Sequence, residues 1–378
     1  MKIYLDNAAT TPLDKEVFYE MTPYLLEHFG NPSSHHLHGR IAKQAIEKSR
    51  NTIAELLNAS AEEIIFTSGA TEAHNMLISS IVNNQLVKQV ITTRFEHHAV
   101  LNTLYEFERR GSIRLFFINN DTKGNLDLDH LELILRNGIP SLVSVMHANN
   151  EIGNINDVGH ISQICRSYNA IFHTDAVQTV GHYKHDMKQL AVDILGSSAH
   201  KFHGPKGVGF AYCRSGLKLS RLLHGGGQER KLRAGTENIP GIVGLAKALE
   251  IAYADIEKNQ RYIQGLKDHL IFKLKDGVSG ITFNGNSEIA DKSLHTLVSI
   301  NLPLQNKVLD PLQYLDDNNI AVSGGSACST GSPSHVLSAI NADPTQYTIR
   351  ISLSRFNTIE EIDYTVDKLC AMYKSIAA

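Results

Sequence analysis

Four stretches of the chain hold side chains whose types and spacing could do chemistry. The first, IIFTSGATEAHN (64–75), ends an apolar run in Ser-Gly-Ala-Thr and opens a helix. Backbone N–H groups at that helix start, with the Thr71 hydroxyl, form a ready site for an anion. A capped helix after a glycine turn accounts for the same residues without a ligand, and the GxxxxGK[ST] spacing of a nucleotide P-loop is missing. The second, FHTDAVQTVG (172–181), puts Asp175 at the carboxyl end of a strand, where ligands of open α/β sheets gather. That carboxylate can hold a ring nitrogen protonated or cap the helix that follows. The third, VDILGSSAHKFHGPKGVGF (192–210), sets Ser198, His200 and Lys201 at the end of another apolar run, before a tight GPKG turn. A lysine there is costly unless used, and joining an aldehyde as an imine neutralises it. The fourth, SGGSACSTG (323–331), places Cys328 among glycines and serines. Cysteine ordinarily packs like a small hydrophobe, so a thiol on what composition predicts to be a wet, mobile loop asks for a chemical reason.

The elements that must position these residues read as an alternation of strands and helices. Apolar runs at 62–67, 88–93, 113–118, 141–148, 170–176, 192–198 and 207–213 alternate with helical patterns such as TEAHNMLISSIV and AVLNTLYEFERRG. Runs apolar almost throughout are expected of strands covered on both faces by helices. The fold class expected is therefore α/β, a large domain with a mostly parallel mixed sheet flanked by helices, plus a small α+β domain. From Pro240 a long pattern predicts one or two extended helices, after which shorter strands, HTLVSINL and YTIRISL, mix with helices. The boundary is placed near 255, giving a large domain over 15–255 and a small one from 1–14 with 256–378.

Composition narrows the classes. Of 378 residues, 42% are hydrophobic and 20% charged, with a net charge of −3, which offers no basic footprint for nucleic acid. No apolar run reaches membrane-span length, and MKIYLDNAATTPLD does not read as a signal peptide. Four cysteines without a CxxC pair point to thiols in a reducing, cytoplasmic setting. The HHLH run at 35–38 invites a zinc reading, but no Cys/His or HExxH pattern supplies further ligands, so no resident metal is expected.

An anion cradle, then a strand-end Asp, then a strand-end Lys is the order found in pyridoxal 5′-phosphate enzymes. Beyond that order, the chain resembles cysteine desulfurases of the NifS/IscS type, within the class-V aminotransferases of fold-type I. The resemblance runs nearly end to end through YLDNAATTP (4–12), FGNPSS (29–34), FTSGATE (66–72), EHHAV (96–100), HANNEIG (147–153), DAVQ (175–178), SAHKFHGPKG (198–207), HGGGQER (224–230), RAGTEN (233–238) and SGGSAC (323–328).

Carried over, the resemblance implies that Lys201 is the Schiff-base lysine, with Lys206 as a rival. It implies Asp175 on the pyridine nitrogen, Gln178 on the ring 3-oxygen and His97 stacked on the ring face, while His98 reads as structural or surface. Ala70, Thr71, Ser198 and His200 would hold the phosphate, joined by Thr236 from a second subunit of a homodimer. Asn150 would contact a substrate or cofactor oxygen and Arg350 the substrate carboxylate, with Arg355 a structural ion-pair partner. Cys328 would take sulfur from L-cysteine as a persulfide, releasing L-alanine, and pass it to an acceptor protein for iron–sulfur cluster assembly or tRNA thiolation. Cys165, Cys213 and Cys370 read as filler. Many relatives have serine where Gly324 stands, which leaves the thiol in place. The sequence ends at Ala378, soon after its last predicted helix, so the acceptor and any shared iron–sulfur ligation by Cys328 are open at this point. A transaminase or selenocysteine lyase on the same fold is the nearest rival, and a sulfur-relay protein a more distant one. Simple transamination has no use for Cys328.

Overall fold

The computed structural model describes residues 2–303, 310–324 and 334–377. In chain order the strands are β1 (Ile3–Tyr4), β2 (Ile64–Thr67), β3 (Gln89–Thr92), β4 (Arg114–Phe117), β5 (Ser141–Ser144), β6 (Ile171–Asp175), β7 (Ile194–Ser198), β8 (Gly209–Cys213), β9 (Thr282–Phe283), β10 (Leu297–Leu302), β11 (Ile320–Ala321), β12 (Ser323–Gly324) and β13 (Tyr347–Ser352). The helices are α1 (Lys15–Leu26), α2 (Leu37–Leu56), α3 (Ala70–Asn83), α4 (His98–Arg109), α5 (Leu128–Leu135), α6 (Val158–Ser167), α7 (Met187–Leu190), α8 (Ile239–Ala254), α9 (Ile256–Gly277), α10 (Pro311–Asp317), α11 (His335–Ala339) and α12 (Ile359–Ala377).

Among the described residues, the main sheet runs β2-β8-β7-β6-β5-β3-β4, and β8 alone is antiparallel to its neighbours. The mostly parallel α/β architecture expected from the apolar runs is therefore present. Side chains of β2, β3 and β5 to β8 are buried, apart from the partly buried Ile171 at the start of β6, because helices cover both faces. One face packs Phe66, Val143, Phe172, Leu195 and Phe210 against α2 and α8. The other packs Ile65, Val90, Leu142 and Ile194 against α3 and α4 through Leu77 and Leu104. Each such side chain, fully withdrawn from water, contributes roughly 1.5–3 kcal/mol. Parallel order brings the carboxyl ends of β5, β6 and β7 to one edge, where the chain leaves the sheet into loops.

The long pattern after Pro240 folds as two helices that meet at Asp255. Helix α9 belongs to a second core, in which Leu266, Leu270 and Leu274 pack with Ile300, Ile351, Leu369 and, from the start of the chain, Ile3 and Leu5. A four-stranded sheet, β12-β13-β10-β9, and the parallel pair β1-β11 carry it. The segment after β1 then crosses back to the main sheet. The Ala8 N–H donates to Ser352 Oγ, the Thr11 N–H to the His200 carbonyl and the Asp14 N–H to the His203 carbonyl. Residues 3–14 are thus a strap laid across both cores.

Candidate active site

The carboxyl edge of the main sheet and the strap enclose a cavity of about 230 Å³. Ala70, Thr71, His97, Asn150, Asp175, Gln178, Ser198, His200, Lys201 and Arg350 all line it. Of the other expected site residues, Thr236 is exposed and does not line the cavity, and Cys328 lies outside the described residues. Lys206 is exposed and is not part of the lining.

The α3 N-terminus forms one end. Gly69 is its N-cap at φ +155° and has no side chain to cap it, so the first turn of the helix faces the cavity. The Ala70 N–H donates to Ser198 Oγ at 2.7 Å, which ties the helix start to the end of β7. His200 lies beside this end with Nδ1 3.2 Å from Thr10 Oγ1, and burial, with Lys201 and Lys206 nearby, depresses its pKa to about 4.

Lys201 follows β7 on a single 3-10 turn. Its Nζ donates to the Ala8 and Ala9 carbonyl oxygens at 2.5 and 2.9 Å, so the strap orients the amine. The Lys201 carbonyl in turn lies 3.1 Å from His182 Nε2. These strap carbonyls have no side-chain signature, and sequence reasoning missed them.

Asp175 ends β6, and its two oxygens have different surroundings. Oδ1 accepts the Val177 N–H at 2.9 Å, closing the turn at 177–179 where the sequence offers a helix to cap. Oδ2 lies 3.2 Å from His74 Nε2, on a slant rather than in hydrogen-bond line. Burial alone would raise this carboxyl; His74, then His97 and the Val177 N–H, hold it well below the ordinary range instead. The group is an anion at the cavity wall. Gln178, one turn on, is buried and donates to the Ala8 carbonyl at 3.1 Å.

His97 is the N-cap of α4, and its Nδ1 accepts the Ala99 N–H at 3.0 Å. That bond fixes the tautomer, leaving the proton of the neutral ring on Nε2. Burial lowers its pKa, so the ring is neutral near pH 7. His98 points elsewhere, its ring 4.6 Å from that of His335. Glu96, just before, is buried and accepts the Met146 N–H and Thr93 Oγ1 hydroxyl; burial pushes its pKa up to about 8.

Arg350 reaches the opposite end from β13 and is 2% exposed. Nη1 donates to the Asn150 carbonyl at 2.8 Å, and Nη2 to Asp6 Oδ1 at 2.8 Å and to Ser323 Oγ at 3.2 Å. Nε is buried without a partner. The guanidinium as a whole lines the cavity, and its charge suits an anionic group there. Asp6 is a second residue that sequence reasoning missed, although it lies inside YLDNAATTP. Arg355 is ion-paired with Asp14 on the strap, the structural role expected of it.

The remaining described cysteines sit away from this chemistry. Cys165 and Cys213 are buried, and burial raises both thiols, Cys213 to about 12. Cys370, half-buried on α12, is raised as well. Two of the histidines in HHLH have structural roles, His36 as the N-cap of α2 and His38 stacked on Phe29. Among the described residues no group of three or more potential ligands could hold a metal ion.

The donor set fits pyridoxal 5′-phosphate. An uncapped helix start suits a phosphate, an amine suits an aldehyde, and a buried anion suits a pyridinium nitrogen. An aromatic face, His97, lies in the same cavity.

Comparison with known proteins agrees with that donor set. The family model described as aminotransferase class-V matches residues 3–365. A cysteine desulfurase IscS of Dictyoglomus turgidum is 44% identical over 375 residues, covering 97% of this chain and 93% of that protein. Among solved structures, a NifS-like protein superposes with a TM-score of 0.90 at 36% identity, over 99% of this chain and 100% of its own. A structure of SspA in complex with cysteine superposes with a TM-score of 0.80 at 31% identity, over 95% of this chain and 100% of its own.

Proposed function

The chain belongs to the aminotransferase class-V family, and on that premise we propose how its residues carry out the work of a pyridoxal-phosphate-dependent cysteine desulfurase acting on L-cysteine. The observation that carries the reading is the convergence of Lys201, Asp175, the α3 N-terminus and Arg350 on one cavity.

When bound, pyridoxal phosphate supplies an electron sink that loosens bonds around the amino acid's α-carbon. The chain's own groups do the rest. The α3 N-terminus, Ser198 and His200 would hold the phosphate, and Asp175 would keep the ring nitrogen protonated. Lys201 takes the aldehyde and afterwards moves protons at the substrate. His97 covers the ring and presents its Nε2–H. Arg350, which lines the cavity, would bind the substrate carboxylate, with Asn150 beside it.

Sulfur leaves through a thiolate. The Cys328 thiolate would attack the sulfur of the L-cysteine substrate, forming an S–S bond as the C–S bond breaks. The electron pair stays with the substrate carbon, which takes a proton on the way to L-alanine. Two facts support Cys328 in this role. The other three thiols are held in their protonated form, two of them by deep burial. In addition, β12 pairs Ser323, five positions before Cys328, with Arg350, which lines the cavity.

The division into domains 15–255 and 1–14 with 256–378 belongs to the same proposal, supported by the two separate cores. So does a homodimer. Thr236 is exposed outside the cavity, and Phe18, Tyr19, Leu26, Phe29 and Leu37 expose large apolar surfaces on and after α1 that a second copy would cover. The persulfide would pass to an acceptor protein serving iron–sulfur assembly or tRNA thiolation, in the cytoplasm; among the described residues no helix is long and apolar enough to cross a membrane. The test of the reading is one turnover with L-cysteine, assaying alanine and locating the added sulfur by digestion and mass spectrometry. Sulfur on Cys328 with stoichiometric alanine is expected, and Cys328→Ser nearly stops alanine release while retaining the cofactor. Sulfur on Cys165, Cys213 or Cys370 with Cys328 bare refutes the assignment.

A further inference from the structure

Behind Asp175 runs a buried line of polar groups that the reaction described above does not use. His74, on α3, stands with Nε2 3.2 Å from Asp175 Oδ2. Its Nδ1 is 2.9 Å from His173 Nε2, and His173 Nδ1 is 2.7 Å from Ser144 Oγ. Ser144, His173 and His74 are all 1% exposed or less. Three secondary-structure elements, β5, β6 and α3, each contribute a link.

The line has one proton arrangement in which each link can donate toward the next without adding a charge, with the His74 Nε2–H slanted toward Oδ2. An ionised carboxylate only accepts, so His74 must carry its proton on Nε2. Nδ1 of the neutral ring then accepts from His173 Nε2–H. His173 Nδ1, left with a lone pair, accepts the Ser144 hydroxyl. Burial drives the pKa of His173 down to about 3, in keeping with a neutral ring. The reverse arrangement makes His74 a buried cation and leaves the Ser144 proton without a recorded acceptor.

The fold also reserves space for this ring. Gly196, in the middle of β7, has ordinary backbone angles, yet a Cβ built there would lie 2.6 Å from His74 Cε1 and 2.9 Å from Nδ1. A glycine inside a buried strand weakens it and signals a close approach. Here the approaching group is the imidazole, and its distance from Asp175 depends on that missing methyl.

We propose that His74 is a positioning residue for Asp175: backed by His173 and Ser144, it aims an N–H at Oδ2, keeps the carboxylate ionised and turned toward the cavity, and so sets how tightly the cofactor's ring nitrogen holds its proton. The proposal rests on Asp175 being the partner of that nitrogen. Other titratable groups facing Asp175 are His97, Lys201 and Glu96, and the variants below leave all three intact.

The test uses holoenzyme and follows the pH titration of its visible absorption band, together with the Kd for pyridoxal phosphate. A ring nitrogen held less firmly withdraws fewer electrons, so the group formed at Lys201 keeps its proton to higher pH. His74→Leu is expected to move the titration midpoint upward by about half a unit or more and to weaken cofactor binding about tenfold. It lowers kcat while KM for L-cysteine stays within about twofold, because Arg350 is untouched. In an Asp175→Asn background the same change has no further effect on the midpoint, since His74 acts through Asp175. His74→Gln, which keeps a donor N–H, restores most of the midpoint. Gly196→Ala displaces the imidazole without deleting it and moves the midpoint in the same direction as His74→Leu. If the Leu variant does not fold, the Gln and Ala variants carry the test. An unmoved midpoint in His74→Leu and Gly196→Ala, with Asp175→Asn shifted, overturns the proposal and leaves the Asp175 assignment standing. An unmoved midpoint in Asp175→Asn overturns that assignment and this proposal with it. Full additivity of the two lesions reduces His74 to packing and also refutes the proposal.

Discussion

Replacing Arg350 by lysine separates recognition of the substrate carboxylate from everything else the cavity does. The guanidinium is 2% exposed, and its Nη atoms are engaged by the Asn150 carbonyl, Asp6 and Ser323, leaving Nε buried and unpaired. A carboxylate arriving at this cavity-lining guanidinium gains a charge-assisted hydrogen bond worth about 1.5–3 kcal/mol. Lysine keeps the charge but cannot present a planar fork while also holding Asp6. Affinity for L-cysteine should therefore fall by about 10- to 150-fold, which is that free energy expressed as a ratio. The assay titrates L-cysteine and L-cysteinamide into Cys328→Ser protein, where binding is read from the cofactor's absorption without turnover. The Cys328→Ser protein with Arg350 intact should prefer the acid by a similar factor, and adding Arg350→Lys should erase most of that preference while the spectrum of the resting enzyme stays unchanged. Equal affinity for acid and amide with Arg350 intact, or an unchanged preference in the lysine variant, refutes the reasoning and moves the carboxylate site elsewhere.

Lys201→Ala should abolish both colour and turnover, whereas Lys206→Ala, altering an exposed turn, should retain them; absorption spectra and borohydride trapping of the cofactor decide. Acid should destabilise the fold through buried neutral histidines. His147, His185 and His295, depressed to about 3, 4 and 3 by burial, bind protons more readily when unfolded, so stability rises with pH between about 3 and the ordinary histidine value of 6.5. Glu96, raised to about 8, and Glu151 and Glu237, also raised by burial, work in the opposite direction above the ordinary carboxyl value, but the buried, depressed histidines outnumber them. Urea midpoints should therefore fall between pH 6.5 and 4.5, and a flat or rising profile contradicts the burial argument. For assembly, co-expressed Lys201→Ala and Thr236→Ala chains should give mixed dimers with one site carrying both lesions and one carrying neither. A fully active monomer in sedimentation at low concentration refutes the shared site.

Much of this molecule was readable because buried parallel strands announce themselves. Runs such as VDILGSS and AIFHTDA have no polar alternation, and a charged residue at their carboxyl ends is hard to explain as packing; Asp175 and Lys201 were found that way. The anion cradle at 68–71 was legible as a glycine turn before a helix. What sequence patterns could not show falls into three kinds. Backbone carbonyls of Ala8 and Ala9 hold Lys201, and backbone groups leave no mark on residue choice. Asp6 meets Arg350 across 344 positions, a pairing that no local spacing encodes. His74 sits at a helical core position in TEAHN, where an apolar residue would satisfy the same periodicity, so its tie to Asp175 needed three dimensions. Two-residue strands such as β9, β11 and β12 are too short for any periodicity to register.

The strap formed by residues 3–14 has a consequence for biosynthesis. It supplies the carbonyls that orient Lys201 and the carboxylate that holds Arg350, while β1 pairs with β11 and Ser352 takes the Ala8 N–H. On a ribosome these residues emerge early, yet their partners at 320–352 emerge hundreds of codons later. Until then Leu5 and Ile3 have no core to enter, and only the bonds to the 200–203 segment hold the strap across the cavity. A chain long enough to complete the seven-stranded sheet but lacking β13 has no partner for Asp6 or for the Ala8 N–H, so the strap is only half anchored. Truncations ending before β13 should therefore colour less strongly than the full chain, however well their main sheet folds.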